Sequence, residues 1–419
     1  MRQPFKKQLT DAPLKEASFS CRPACIIGTI NLKSNVTFSV MKGAELIGTP
    51  HLKDYPENKI SVKTRPSHRP QWPYMPSRAI IYADAAEHIS ITGEGTINGN
   101  GKSSEFKTAD DDPRRPKLIM FVGCKDVNVQ DIHLMNSAFW MQHYFACDGV
   151  KIRSISVFNH GNLNNDGIDI DSRNVTVSDC TFDCDDDGVC LKSDGFDVVE
   201  NVSITNCVIG SNCNLIKTGT ASYAGFRNIA ISNCVLKKAS ISVMGKKNRP
   251  ANLPADSISA EAGIALEAVD GGIIDQIVIS NISMTGVQTP IFIKLGNRKF
   301  DPAKAGSIII SKVTATSNSL IASSITGIPR HDVENVVLRD ILITGIGGGT
   351  EKDSARTDVP EKASGYPSNN MFGNSLPAYG LFLRHANNIE LHNVKFQLMS
   401  PDVRPAIYQT DVKNLVTDK

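Results

Sequence analysis

Apolar and polar residues alternate in short runs along this chain, and the runs return in phase. Copies read HISITGEGTI from His88, DVNVQDIHLM from Asp126, GVKIRSISVF from Gly149, NVTVSDCTFD from Asn174, NVSITNCVIG from Asn201 and NIAISNCVLK from Asn228, with later copies from Gln276, Ser307, Asn335 and Asn388. Between Asp126 and Gln276 the intervals are 23 to 27 residues, apart from one double interval. One-for-one alternation marks a strand with a single buried face, and the Gly, Asn, Asp and Ser clusters between copies mark turns. A unit this short cannot bury a face alone, so neighbouring copies must stack. Helical and leucine-rich repeats need a periodicity that is missing here. The pattern predicts an all-β chain wound as a single-stranded right-handed parallel β-helix.

A second strand precedes the repeated phrase. GIDID (Gly167 to Asp171), GVCLK (Gly188 to Lys192), NLIK (Asn214 to Lys217), GIALE (Gly263 to Glu267), PIFIK (Pro290 to Lys294) and GLFLR (Gly380 to Arg384) align without gaps. Successive side chains on a strand face opposite ways. Ile168, Ile170, Val189, Leu191, Ile264, Leu266, Ile291 and Ile293 are therefore expected to point inward. An outward column of Asp171, Lys192, Lys217, Glu267, Lys294 and Arg384 follows, with rungs about 4.8 Å apart.

Composition narrows the partners. Lysine and arginine (45) nearly cancel aspartate and glutamate (43), leaving a net charge of +2, so no long-range field points to nucleic acid. No apolar run reaches the roughly 18 residues that cross a bilayer, and no secretory signal is visible in the first thirty residues. Ten cysteines show no metal-type Cys-x-x-Cys pair. Cys180, Cys207 and Cys234 recur 27 residues apart, which predicts a buried ladder of free thiols.

Candidate chemistry gathers at one slot of the second strand. Asp166 and Asp187 each stand immediately before the glycine that opens their strand, one rung apart, with Asp186 and Asp185 beside Asp187. Like charges this close raise one another's pKa. Three readings fit this cluster: a calcium site built on hard oxygen ligands, a polar turn that exposes acids to water, and inverting glycoside hydrolysis. The last needs two carboxyl groups about 6.5 to 9.5 Å apart, and a one-rung, one-residue offset gives about that spacing.

NNDG (Asn164 to Gly167) and DCDDDGVCLKS (Asp183 to Ser193) resemble two signatures of glycoside hydrolase family 28, the polygalacturonase family, whose motifs run NTDG, GDD, GHG and RIK on successive rungs of a pectin lyase-like solenoid. GTINLKSNVTF from Gly28, ITGEGTING from Ile91 and NDGIDIDS from Asn165 support the likeness, which runs over most of the chain, from about residue 26 to the C-terminal end. Asp185 stands where the family has glycine. The GHG slot falls on Ser211, Asn212 and Cys213, and the RIK slot on Ala265, Leu266 and Glu267, so the histidine and both cations are absent. The resemblance implies a pectic hydrolase of a divergent subgroup, with Asp186 as general acid and Asp166 and Asp187 activating water. Asn164, Lys192, Asn212, Lys217, Glu267, Lys294 and Arg298 are the expected substrate-binding residues; Lys217, Lys294 and Arg298 would replace the missing cations. No metal or cofactor is required. The implied partner is a galacturonic-acid-containing polysaccharide or oligosaccharide, bound by a monomer, with no nucleic acid or membrane. The implied setting is secreted or periplasmic. A calcium-dependent lyase and a non-catalytic carbohydrate-binding β-helix are the alternatives.

Four further expectations complete the reading. Residues 1–25 match nothing in the family and are expected to be an atypical, truncated or disordered segment ahead of a catalytic domain over 26–419. Tyr55, Trp72 and Tyr74 are expected on a proline-rich loop that stacks on sugar, whereas Trp140 is expected in the core. His143 and His160 lie one rung before the acids, each as a turn cap or a substitute for the missing histidine. The insertion from Gly345 to Tyr379 is too long for an ordinary connection and is expected to wall one end of a groove.

Overall fold

The computed structural model describes residues 24–65, 75–107, 112–243, 253, 257–298 and 300–418, with the backbone of 15–19. Two compact units divide the chain: Met1–Cys190, Asp194–Cys207 and Ile241–Met244 form the first, and Leu191–Ser193, Val208–Ser240 and Gly245–Lys419 the second. Each is a parallel β-helix in its own right.

In the first unit the repeated phrases stack in register. Ile89, Val127, Val150, Val175 and Val202 make one inward column. Phe38, Ile91, Val129, Ile152, Val177 and Ile204 make the next. All are buried, and each such side chain is worth roughly 1.5–3 kcal/mol on removal from water. Between the columns Lys151, Thr176 and Ser203 face solvent. In the second unit Ile229, Ile277, Ile308, Val336 and Ile389 continue the same scheme. A slip of one residue would turn every member of a column outward, so the alternation itself fixes the register.

Asparagine turns the chain between strands. Asn174, Asn201 and Asn228 sit at φ of 56°, 57° and 54°, a left-handed region that costs most L-residues about 1–2 kcal/mol. Asparagine tolerates it and hydrogen-bonds locally. The Asn201 side chain donates to Asn174 Oδ1 at 2.9 Å, and Asn174 donates to Asp148 Oδ1 at 2.6 Å.

Several sequence expectations shift. Parallel pairing begins before residue 26, because Lys15–Phe19 pairs with Val36–Val40. Cys180, Cys207 and Cys234 are buried free thiols, but Cys25 is disulfide-bonded. Tyr55 is in the core and not on a sugar-facing loop: it is fully buried and its hydroxyl donates to Thr49 O at 2.7 Å. Trp72 and Tyr74 lie outside the described residues. The outward column is offset by two at one place, since Lys217 pairs with Ala265 and Thr218 with Leu266. A two-residue offset preserves the face, and NLIK, one residue shorter than its fellows, cannot fix it. Thr326 also enters the column, between Lys294 and Arg384. No helix among the described residues is long and apolar enough to cross a membrane.

Replacing Asn201 by alanine should lose about 1–2 kcal/mol in urea titrations, from the left-handed turn and the ladder bond together, whereas Asn201→Gly should lose less. Equal losses would show that backbone conformation is not the cause.

Candidate active site

The slot shared by Asp166 and Asp187 is built by close backbone contact. Gly167 donates its N–H to Asp187 O at 2.8 Å and Ile168 donates to Gly188 O at 3.2 Å, which stacks NNDG directly on the DDDG turn. A Cβ on Gly167 would meet Gly188 O at 2.6 Å and Cys184 Sγ at 2.7 Å. Only glycine fits. Asp166 and Asp187 are each 3% exposed, whereas Asp186 is half-buried and accepts the Asp187 N–H at 2.9 Å. Cys184 registers the density of acid here. Its thiol is pushed well up, first by burial and then by the charges of Asp183, Asp166, Asp186 and Asp185.

A polar frame holds the turn. Asn159 donates to Asp166 O at 3.1 Å and accepts from Ser137 N at 2.9 Å. Asn165 donates to Asn159 Oδ1 and Ser137 O, both at 3.1 Å, and accepts from Asn162 N. The DDDG turn is fixed from the same residue, with Asp185 N–H donating to Asn159 O at 3.2 Å and the Asp185 carboxylate accepting from Val243 N at 2.7 Å. Asn164 is half-buried, in the left-handed region at φ 54°, and accepts from Arg115 Nη2 at 2.6 Å. Both nearby histidines are interior. His160, fully buried, faces Asp183 Oδ1 at 3.0 Å, and His143 lies 2.9 Å from Lys117 Nζ. Trp140 is 8% exposed and stacks on Phe139 at 5.1 Å, in the core as expected. Farther along the strand Asp171 is buried and accepts the N–H groups of Asp194 and Gly195 at 2.7 and 3.0 Å. Burial, and then the charge of Asp194, raise its carboxyl well above the ordinary range.

The remaining sequence-selected residues belong to the second unit. Lys192 is 9% exposed and Asn212 is half-buried. Lys217 stands 3.8 Å from Glu267 Oε2, both buried, with the exposed Tyr366 ring 5.6 Å from its ammonium. Arg298 is gripped by Asp270 through two bonds, of 3.0 and 2.7 Å. Lys294 is fully buried and donates to Gly327 O at 3.2 Å and Glu361 O at 3.4 Å. Arg384 donates to Val359 O and Pro360 O at 2.6 and 2.9 Å. The Gly345 to Tyr379 insertion is thus clamped onto two cations of the outward column, and Asn369 ties it further to Glu261 O and Gln288 Oε1. Sequence reasoning missed Glu261, a buried acid whose carboxylate accepts from the Cys213 thiol at 3.5 Å, and it missed Arg115. Neither stands in a repeated phrase.

The family model described as glycosyl hydrolases family 28 matches residues 29–365. Polygalacturonase-2 of Solanum lycopersicum is 22% identical over 298 residues, covering 66% of this chain and 59% of the relative. A probable rhamnogalacturonase A of Aspergillus oryzae is 30% identical over 136 residues, covering 32% and 28%. Among solved structures, a family 28 exopolygalacturonase of Yersinia enterocolitica superposes with a TM-score of 0.65 at 16% identity, covering 94% of this chain and 73% of that one. The aligned part of this chain spans about three-fifths of the length of the curated relatives it matches.

Burial gives one of these residues a pH signature. It pushes the Lys294 ammonium from 10.5 down to about 7, helped by Arg384 and opposed by Glu361. From pH 7 to 10 the unfolded chain therefore holds a proton that the folded chain has released, and stability rises with pH. Lys294→Met should flatten that rise in urea midpoints measured at pH 7 and 10. An unchanged slope would mean that Lys294 titrates normally.

Proposed function

Because the chain belongs to glycosyl hydrolase family 28, we propose that it hydrolyses a glycosidic bond in a galacturonic-acid-containing polymer or oligosaccharide, with inversion. The observation that carries this reading is the stacked pair Asp166 and Asp187 with the more open Asp186 at its side. Asp186 is the general acid, since it reaches solvent next to two buried carboxylates that favour its protonated form. Asp166 and Asp187 hold and deprotonate the attacking water. Protonation of the leaving oxygen and attack by water on the opposite face of the sugar complete the displacement without a covalent intermediate.

The cations refine the substrate. Arg298 is neutralised by Asp270, and Lys294 and Arg384 hold backbone carbonyls of the insertion. Lys217 is buried, with Glu267 Oε2 3.8 Å from its ammonium, so an acid balances this cation of the column. This balance favours a mixed pectic substrate, in which uronate alternates with neutral sugar, over plain polygalacturonate.

The test is product analysis by proton NMR on homogalacturonan, rhamnogalacturonan and pectic oligosaccharides. New reducing ends with inverted anomeric configuration and no 235 nm chromophore are expected. Asp186→Asn should lower kcat by about 10²–10⁴. An Asp186→Asn protein as active as the parent on every fragment would overturn the assignment, and a 235 nm chromophore would indicate a lyase.

A further inference from the structure

Asn159 closes the strand Ser156–Asn159, pairs with Cys184 on the next rung and is fully buried. Its Nδ2 donates to Asp166 O at 3.1 Å, while its own carbonyl accepts the Asp185 N–H at 3.2 Å. One residue thus holds the backbone of both acid turns. Its amide has one possible orientation. Oδ1 accepts from Ser137 N at 2.9 Å and from Asn165 Nδ2 at 3.1 Å. A backbone N–H only donates, so a flipped amide would set Nδ2 against it and an oxygen against Asp166 O. Asn165 is fixed in turn, since its Oδ1 accepts from Asn162 N and its Nδ2 donates to Ser137 O, both at 3.1 Å. Ser137 and Asn165 are fully buried too, and a buried hydrogen bond left unmade is costly.

Inverting hydrolysis works only over a narrow range of carboxyl separations, about 6.5 to 9.5 Å. The ladder alone sets the rung spacing, but Asp166 and Asp187 stand on turns, where the ladder is interrupted. We propose that Asn159 is a positioning residue that sets the distance from Asp166 to Asp186 and Asp187, and with it the alignment of the attacking water on the glycosidic bond. This inference rests on the hydrolase reading, and its test separates the two.

Asn159→Ser removes the bond to Asp166 O and keeps the backbone carbonyl that accepts from Asp185. It should lower kcat on the best pectic fragment about 10²-fold, the effect of a misplacement near 1 Å, with KM within about two-fold of the parent. The pH profile of kcat should shift, because the coupling of carboxyls changes with their separation. Asn159→Asp has the same shape and a donor only when protonated, so its kcat relative to the parent at the same pH should recover as pH falls. It also guards against an Asn159→Ser protein that fails to fold. Asn201→Ala, destabilised in the same unit but away from the acids, should keep the parental kcat and pH profile. Parental kcat in folded Asn159→Ser, or an equal loss in Asn201→Ala, would overturn the inference alone. A parent inactive on every fragment would sink the hydrolase reading, and carbon-13 carboxyl titrations would then decide the spacing. Midpoints of Asp166 and Asp187 that move in Asn159→Ser and stay in Asn201→Ala would uphold it; midpoints that stay in both would overturn it.

Discussion

Everything at the acid cluster depends on one constraint, that each coil must return in register with its neighbour. A parallel ladder spaces strands by about 4.8 Å and fixes which residues face outward. Two aspartates written at the same slot of successive repeats are thereby forced together, although the chain between them has left and come back. The backbone bonds from Gly167 and Ile168 to Asp187 and Gly188 are that constraint made local. The absence of room for a methyl group at Gly167 shows how little tolerance remains.

The electrostatic cost of the cluster is met in layers. The buried pair Asp166 and Asp187 rests on a frame of Asn159, Asn165 and backbone amides, and Asp185 is turned to the Val243 N–H. Asp185 thereby ties the turn to the segment that carries Val243. Asp186 is less enclosed than Asp166 and Asp187.

The fold was legible because alternation and period are one-dimensional signals, and the inward columns from Ile89 to Val202 are read directly from the phrases. The acid slot was legible for the same reason. The fate of the cations was not. Lys294 and Arg384 do stand in the outward column, but whether an outward side chain meets ligand or protein depends on what lies over it, and the carbonyls of Val359 to Glu361 come from a non-repetitive insertion. The two-residue offset between Lys217 and Glu267 escaped because either alignment puts the same faces inward. Arg115 escaped because nothing in DDPRRPK announces a contact with Asn164, 49 residues later.

The stacking of the second unit has a consequence for how such a chain can change. Its coils from Ile308–Ser317 to Val333–Gly345 and Leu381–Leu398 touch chiefly the coil before and the coil after, so their stability is close to a sum of nearest-neighbour terms. A whole coil is then a unit of inheritance. One can be duplicated, lost or traded with the ladder resealed behind it, while a change of single residues inside the acid turn has no such freedom. Length and reach can thus drift by coils while the chemistry stays pinned.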